Sequence, residues 1–189
     1  MTRGHLPGPG DVRWLFGYGS LIWRPDFPFL RSRRAVLPGH ARRFWQGSHD
    51  HRGTPDAPGR VLTVVPQPGT QVVGIAFELD PRHLADTLAR LDHREKNGYV
   101  RRQVKLDTGE QGGLSALTYL AEPGNAAWLG DLALEPLAAQ IAASHGPSGR
   151  NADYLIELAR ALRAMDVQDE HVFALEARVD ALLQARESG

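Results

Sequence analysis

Cysteine is absent from this chain of 189 residues, and its absence excludes several kinds of site. Without thiols the protein cannot form disulfides, iron–sulfur clusters, cysteine-ligated zinc sites or a thiol nucleophile. We therefore expect a fold that needs neither an oxidising compartment nor a redox partner.

An excess of either charge is also absent, because 22 lysines and arginines are matched by 22 aspartates and glutamates. Zero net charge is not typical of a nucleic-acid-binding protein, so no nucleic-acid partner is expected. The composition, 42% hydrophobic and 23% charged, is close to that of globular proteins. At this length one domain is the usual organisation.

Long apolar runs are missing as well. The longest uncharged apolar stretch near the start, residues 14–23, is interrupted by two glycines and is far shorter than the roughly 20 residues that span a bilayer. Residues 1–10 are rich in glycine and proline, unlike a secretory signal. We expect a cytoplasmic protein that neither binds a membrane nor needs an obligate protein partner. Its organisation is expected to be a flexible tail at residues 1–11 followed by a single domain over 12–185.

Strand patterns occupy the first two thirds of the chain. Apolar residues alternate over 73–79, which predicts a strand with one buried face, and a β-branched run predicts another at 61–65. Further strands are predicted at residues 12–16, 41–45, 100–106 and 114–120. Six short strands are enough for a small barrel or a strongly twisted sheet.

Helical spacing appears once among the strands and then dominates the final third. Leucines at spacings of four and three predict a helix from Pro81 to about Glu95, ending near Asn97. Three later helices are predicted from apolar repeats that include Leu134, Leu155 and Leu175. Strands followed by helices indicate an α+β fold.

The segment FGYGSLIW, residues 16–23, is the first candidate site. Two glycines around an aromatic residue permit unusual backbone angles and a close approach of a ligand to the main chain. Outward amide N–H groups in such a loop can hold a carboxylate or an oxyanion. An ordinary glycine-rich turn with aromatic packing is the alternative.

The segment DHREKNGY, residues 92–99, contains a glutamate at the junction between the predicted helix and the next strand. Glu95 can act as a general base if burial raises its pKa toward neutrality. A solvated glutamate at a helix end is the alternative, and Arg94 and Lys96 would then lower its pKa.

Basic and aromatic residues are interleaved in residues 42–53, RRFWQGSHDHRG. This pattern occurs on nucleic-acid surfaces, but with zero net charge it suits a small anionic ligand at least as well. His49 and His51 flank an aspartate without a recognisable third ligand. We therefore favour hydrogen-bonded loop histidines over a metal site.

Residues 146–154, GPSGRNADY, precede a predicted helix. Ser148 or Asn151 is expected to cap this helix, and Asp153 suits its positive end. Arg150 and Tyr154 lie near the same helix start, where a carboxylate can also bind.

These clusters, in this order, resemble the ChaC family of glutathione-specific γ-glutamylcyclotransferases, over residues 14–182. The most specific stretches are FGYGSLIW with DFPF (16–29), RRFWQGSHDHRGTPDAPGRV (42–61), REKNGY (94–99), GPSGRNADYL (146–155) and DEHVFALE (169–176). The resemblance implies a compact mixed β-barrel flanked by helices. It also implies a lyase that cleaves glutathione to 5-oxoproline and cysteinylglycine with no metal or cofactor.

By the same resemblance, Glu95 is the acid/base residue and the glycine-rich loop holds the γ-glutamyl group. The expected substrate-binding residues are Phe16, Gly17, Tyr18, Gly19, Ser20, Leu21, Arg52, Arg150 and Tyr154. Asn97 stands where the family motif usually has glycine. Because asparagine tolerates a left-handed backbone, we expect the turn to survive.

The implied chemistry needs few protein groups, because the substrate's own α-amine attacks its γ-amide carbonyl. Glu95 would remove a proton from that amine and protonate the leaving amine. Two alternatives remain: a cyclotransferase for other γ-glutamyl amides, and a non-catalytic regulatory module that keeps the carboxylate pocket. The presence of Glu95 in its motif favours an enzyme.

Overall fold

The computed structural model describes residues 12–109 and 112–188. The tail expected at residues 1–11 lies outside the described residues. The chain divides into two compact units, Met1–Ala41 with Val64–Glu122 and Arg42–Thr63 with Pro123–Gly189. The single domain expected over 12–185 stays a prediction. In the part of the chain that is described, no helix is long and apolar enough to cross a membrane.

The secondary structure follows the predicted order of strands first and helices later. The strands are β1 (Trp14–Gly17), β2 (Phe29–Ser48), β3 (Gly59–Leu79), β4 (Tyr99–Leu106), β5 (Leu114–Ala121), β6 (His145–Gly146) and β7 (Gly149–Arg150). The helices are α1 (Leu84–Arg94), α2 (Leu134–Ala143), α3 (Asn151–Ala164) and α4 (Glu170–Glu187), with 3-10 turns at Ser20–Ile22 and Pro81–His83. The α+β class is therefore confirmed.

The main sheet has five strands in the order β2-β3-β1-β5-β4. Its central strand β1 runs antiparallel to β3 and parallel to β5, and all four of its residues are buried. Within the described residues, the link between the two edges of the sheet is an isolated bridge, in which Val36 of β2 and Asp107, directly after β4, exchange two backbone hydrogen bonds of 2.8 Å. The sheet is therefore not closed, whereas the resemblance implied a compact mixed β-barrel flanked by helices; a twisted sheet was the other arrangement that the strand pattern allowed.

In the first unit, apolar side chains of α1 pack on the sheet. Leu88 and Leu91 are each 3% exposed and lie in one cluster with residues of β1, β3 and β5. A 3-10 turn leads into the helix, and it begins after Asp80, whose carboxylate accepts a hydrogen bond of 3.0 Å from the backbone N–H of Arg82. This packing fixes the far end of α1, where Glu95 caps the helix.

The second unit contains the three later helices, as predicted. Their contacts bury leucines from each of them, including Leu137, Leu155 and Leu175. The predicted cap of α3 is wrong, because the N-cap is Arg150 and no side chain bonds there. The side chain of Asn151 instead exchanges hydrogen bonds of 2.6 and 2.8 Å with the backbone of Arg60.

The strands differ from expectation in length. The runs predicted at 61–65 and 73–79 belong to one strand, β3, and the run predicted at 41–45 is the end of β2. Residues 29–40 of β2 were not predicted as strand.

Candidate active site

The loop after β1 is held at both of its ends. Thr118 of β5 is fully buried and donates a hydrogen bond of 2.9 Å from its hydroxyl to the carbonyl oxygen of Phe16. A 3-10 turn begins at Ser20. Residues 16–21 therefore leave the middle of the sheet along a defined path.

Gly17 is the loop glycine whose missing side chain the packing requires. A Cβ at Gly17 would lie 2.7 Å from the Cβ of Leu21, closer than real Cβ atoms approach. Gly74 of β3 allows the same close approach from the other side, since a Cβ there would lie 2.3 Å from the Gly17 carbonyl oxygen. Gly19 has a φ of −123°, outside the left-handed region. The packing therefore requires glycine at position 17, and the expected close approach of a ligand to this loop stays a prediction.

Tyr18 is turned into the protein and anchors the loop. It is 6% exposed, and its hydroxyl donates a hydrogen bond of 2.7 Å to the carbonyl oxygen of Tyr119 on β5. The Tyr119 hydroxyl donates in turn to Asp92 of α1, at 2.8 Å, and Arg101 of β4 pairs with the same carboxylate. The loop is therefore tied to β4, β5 and α1 through one polar network.

Glu95 lies directly after α1. Its backbone N–H donates to the carbonyl of Leu91 at 2.8 Å, which closes the last helical turn. Gly98 then takes a φ of 85°. In the described part of the chain Asn97 has no positive φ, so the turn survives because Gly98, and not asparagine, adopts the left-handed conformation.

The Glu95 carboxylate is shielded from solvent, with 19% of its side chain exposed. Burial raises the pKa of Glu95 above its usual value, and the charge of Arg94 opposes this effect. The condition that the sequence left open, a buried glutamate in place of a solvated one, is thus met.

Arg94 connects the loop to Glu95, a role that our reading of the sequence missed. Its Nη2 donates a hydrogen bond of 2.7 Å to the Ser20 hydroxyl, and its Nε lies 3.5 Å from Glu95 Oε1. Beside Asp26 and Phe27 the same side chain lines a cleft of about 460 Å³. The signal in the sequence was an arginine next to the glutamate, which we interpreted only as a neighbouring charge.

The other three expected binding residues meet in the second unit. The Arg52 guanidinium lies 5.8 Å from the ring centre of Tyr154, and its Nη1 donates a hydrogen bond of 3.1 Å to the Arg150 carbonyl. The Arg150 guanidinium pairs with Asp153 at 2.8 Å. The structure therefore brings these three residues together, with the charge of Arg150 already neutralised.

One of the loop histidines, His51, lies next to the turn between the paired strands β6 and β7. His51 Nδ1 lies 3.1 Å from the Ser148 hydroxyl, and His51 Nε2 lies 3.9 Å from the Asp50 carboxylate. Within residues 12–109 and 112–188 no three histidine, aspartate or glutamate side chains are grouped to hold a metal ion.

Comparison with known proteins points to one family. The sequence profile of the ChaC-like proteins matches residues 13–182. Glutathione-specific gamma-glutamylcyclotransferase 1 of Danio rerio is 40% identical over 177 residues, which cover 90% of each chain. The glutathione-specific gamma-glutamylcyclotransferase of Escherichia coli strain K12 is 33% identical over 179 residues, or 94% of this chain and 76% of the relative.

The fold gives the same result. The crystal structure of a selenomethionine-labelled gamma-glutamyl cyclotransferase specific to glutathione from yeast matches with a TM-score of 0.83 and 31% sequence identity. The match covers 89% of this chain and 96% of the yeast chain. Matched over most of its length in both sequence and fold, the chain belongs to the ChaC-like protein family.

Proposed function

We propose that this protein is a glutathione-specific γ-glutamylcyclotransferase, a lyase that converts glutathione to 5-oxoproline and cysteinylglycine. The observation that carries the proposal is the shielded Glu95 carboxylate, joined through Arg94 to the loop at Ser20. Relatives that bear this name align over most of both chains. A cytoplasmic location, expected from the sequence, stays a prediction.

The reaction is an intramolecular transfer that consumes no water. The α-amine nitrogen of the γ-glutamyl group bonds to the δ-carbon, and the bond from that carbon to the cysteinylglycine nitrogen breaks. Since the amine is mainly ammonium at neutral pH, a base must take a proton before the nitrogen can attack. Glu95 takes this proton and passes it to the leaving nitrogen. The attacking nitrogen loses a second proton as the lactam forms, and this proton also ends on the leaving nitrogen. 5-Oxoproline thus keeps one N–H, cysteinylglycine leaves as an ammonium ion, and the Glu95 carboxylate is regenerated.

The buried position of Glu95 suits both halves of this step. A carboxylate with a raised pKa is a stronger base. Its acid form is also present in a larger fraction at neutral pH, where it can protonate the leaving amine as the amide bond breaks. The charge of Arg94 opposes this rise in the pKa of Glu95.

The loop at residues 16–21 is proposed to hold the γ-glutamyl group through main-chain amides. A donor aimed at developing negative charge contributes about 3 kcal/mol to transition-state stabilisation when it is fixed in advance. The anchors at Phe16 and Tyr18 supply that fixation. Holding the flexible chain in a ring-closing conformation lowers the barrier further.

In the second unit, Arg52 and Tyr154 are proposed to contribute to substrate binding. An arginine over an aromatic ring keeps its N–H groups available in the plane for a carboxylate. The pairing of Arg150 with Asp153 supports a smaller contribution from its side chain.

The Glu95→Gln variant tests the proposal, because glutamine keeps the shape of the side chain but cannot accept the proton. We expect turnover of glutathione to fall by at least ~100-fold with little change in KM or Tm. The assay is 5-oxoproline formation measured by mass spectrometry.

Glu122→Gln is the matched control for this variant. Glu122 directly follows β5 in the same unit as Glu95. It pairs with Arg102 and its side chain is 43% exposed, so removing its charge should leave turnover near that of the wild type. A folded Glu95→Gln protein with near-normal activity would refute the role of Glu95.

A further inference from the structure

The Arg94 guanidinium joins two parts of the site that are distant in sequence. It donates from Nη2 to the Ser20 hydroxyl at 2.7 Å and lies 3.5 Å, through Nε, from Glu95 Oε1. Its side chain is 26% exposed and that of Glu95 is 19% exposed. Charges in such a partly buried place are screened less by salt than charges on the open surface.

The pairing of Arg94 with Glu95 depends on where α1 ends. Adjacent residues within a helix point in different directions and do not face each other. Glu95 takes φ −93° and ψ 14°, outside the helical conformation, and therefore the two side chains can lie together. The helix end thus creates a contact that a continuing helix would prevent.

The far side of the Arg94 guanidinium faces the segment that follows the 3-10 turn. Nη1 lies 3.5 Å from both the Asp26 carboxylate and the carbonyl oxygen of Arg24. The Arg24 side chain lies 3.4 Å from the same carboxylate, and Asp26 is 56% exposed. These contacts hold the direction of the guanidinium while leaving Nε toward Glu95.

One other charged residue near the end of α1, Asp92, is engaged elsewhere. Asp92 pairs with Arg101 of β4 and accepts a hydrogen bond from Tyr119 of β5. Among the described residues, Arg94 is the charged group whose field acts on Glu95.

We propose that Arg94 is a positioning residue for the reaction: it fixes the Glu95 carboxylate relative to the loop at Ser20, and its positive charge favours the ionised form that accepts the substrate's proton. This inference rests on the proposed function, since it concerns the base of that reaction. Arg94 itself acts through Glu95 and Ser20.

Removing the charge of Arg94 should shift the pH dependence of kcat/KM in a defined direction. Burial raises the pKa of Glu95 and Arg94 lowers it, so removing the arginine charge leaves the effect of burial unopposed. An opposite charge at this distance typically lowers a carboxyl pKa by about 1 unit or more. In Arg94→Gln the acidic limb of kcat/KM should therefore move to higher pH by about 1 unit.

Two companion variants separate the charge of Arg94 from its shape and from general electrostatics. Arg94→Lys keeps the charge and should leave the acidic limb within ~0.3 pH units of the wild type, with a lower kcat because an ammonium group cannot reach both partners. Arg102→Gln removes an arginine of β4 that pairs with Glu122, is 43% exposed and does not line the cleft, and it should leave the acidic limb of kcat/KM and kcat itself unchanged. An unmoved limb in folded Arg94→Gln, or an equal shift in Arg102→Gln, would contradict the inference.

A titration without substrate makes the test independent of activity. The Glu95 carboxyl resonance, assigned by its loss in Glu95→Gln, is followed by 13C NMR against pH in the wild type, Arg94→Gln and Arg94→Lys. We expect a higher pKa in Arg94→Gln alone. If the titration shifts but glutathione is not cleaved by the wild type, the proposed function fails while the electrostatic coupling stands. Equal titrations in all three proteins overturn the coupling.

Discussion

At the scale of single residues, the protonation of Glu95 depends on two opposing effects of different origin. The loss of water around the carboxylate raises its pKa, and the charge of Arg94 lowers it. The sequence shows the arginine as a neighbour but contains no measure of burial. The motif therefore predicted that Glu95 is the acid/base residue, but only the packing of the folded chain shows that its carboxylate is shielded from solvent.

The loop glycines differ in what they require. At Gly17 a methyl group would collide with Leu21, whereas Gly19, with a φ of −123°, is not in the left-handed region. The sequence pattern treats the two alike, because it shows where glycines are and not which atoms approach them.

We predict that Gly17→Ala destabilises the protein by about 1–3 kcal/mol, the usual cost of forcing extra volume into a packed site. Because the displaced segment is the proposed substrate loop, kcat/KM for glutathione should fall as well. Urea unfolding and steady-state kinetics measure the two effects. Gly19→Ala is the comparison and should lose less stability; a Gly17→Ala protein as stable as the wild type would show that the loop can move aside.

At the scale of elements, α1 was the most predictable part of the first unit. Its leucine spacing and Pro81 predicted a helix to about Glu95, and the structure shows a 3-10 turn followed by α1 and then Glu95 as the cap. Local signals suffice here because helix spacing, start and stop are all encoded within a few neighbouring residues.

The first half of β2 was not predicted, for the opposite reason. Residues 31–34 read as a polar segment, but Arg31 and Arg33 place their guanidinium groups 5.4 and 5.0 Å from the ring centre of Trp14. Long arginine side chains can cover apolar surface in this way. The partner that stabilises the strand is thus remote in sequence, as is the bridge from Val36 to Asp107.

The 3-10 turn before α1, which Asp80 caps, gives a prediction on acid stability. The side-chain and backbone hydrogen bonds from Arg82 lower the pKa of Asp80 to about 2, so the charged form stabilises the folded state. This contribution is complete above the usual aspartate pKa and is lost as the pH falls toward about 2. Asp80→Asn should therefore lower Tm at pH 7 but have little effect near pH 2.

Asp86→Asn is the control, since Asp86 is an exposed acidic residue in the first turn of the same helix. Thermal unfolding from pH 7 to pH 2 measures both variants against the wild type. A Tm difference for Asp80→Asn that stays constant over this range would contradict the assignment.

At the scale of the whole molecule, the order of elements was easier to predict than their closure. Alternating strands followed by amphipathic helices correctly indicated an α+β fold, because each pattern reflects local burial. Whether the sheet closes depends on pairing between β2 and β4, which are separated by tens of residues. The open sheet with one bridge could not be read from either strand alone.

The candidate site also has features that the sequence predicted and features that it did not. The five motifs correctly identified the family, and the structure groups Arg52, Arg150 and Tyr154 within one unit. Sequence alone did not show that Asp153 neutralises Arg150 or that Arg94 bridges Ser20 and Glu95. Such pairings depend on side-chain directions that only the folded chain defines.

The central claim is that the protein cleaves glutathione by cyclisation with Glu95 as the base. Its most direct test is to incubate the purified protein with glutathione in water enriched in 18O and to analyse the products by mass spectrometry. The account predicts equal amounts of 5-oxoproline and cysteinylglycine, no 18O in either product, and loss of both in Glu95→Gln. Glutamate carrying 18O would show hydrolysis, and unchanged glutathione would show that the protein is not this enzyme.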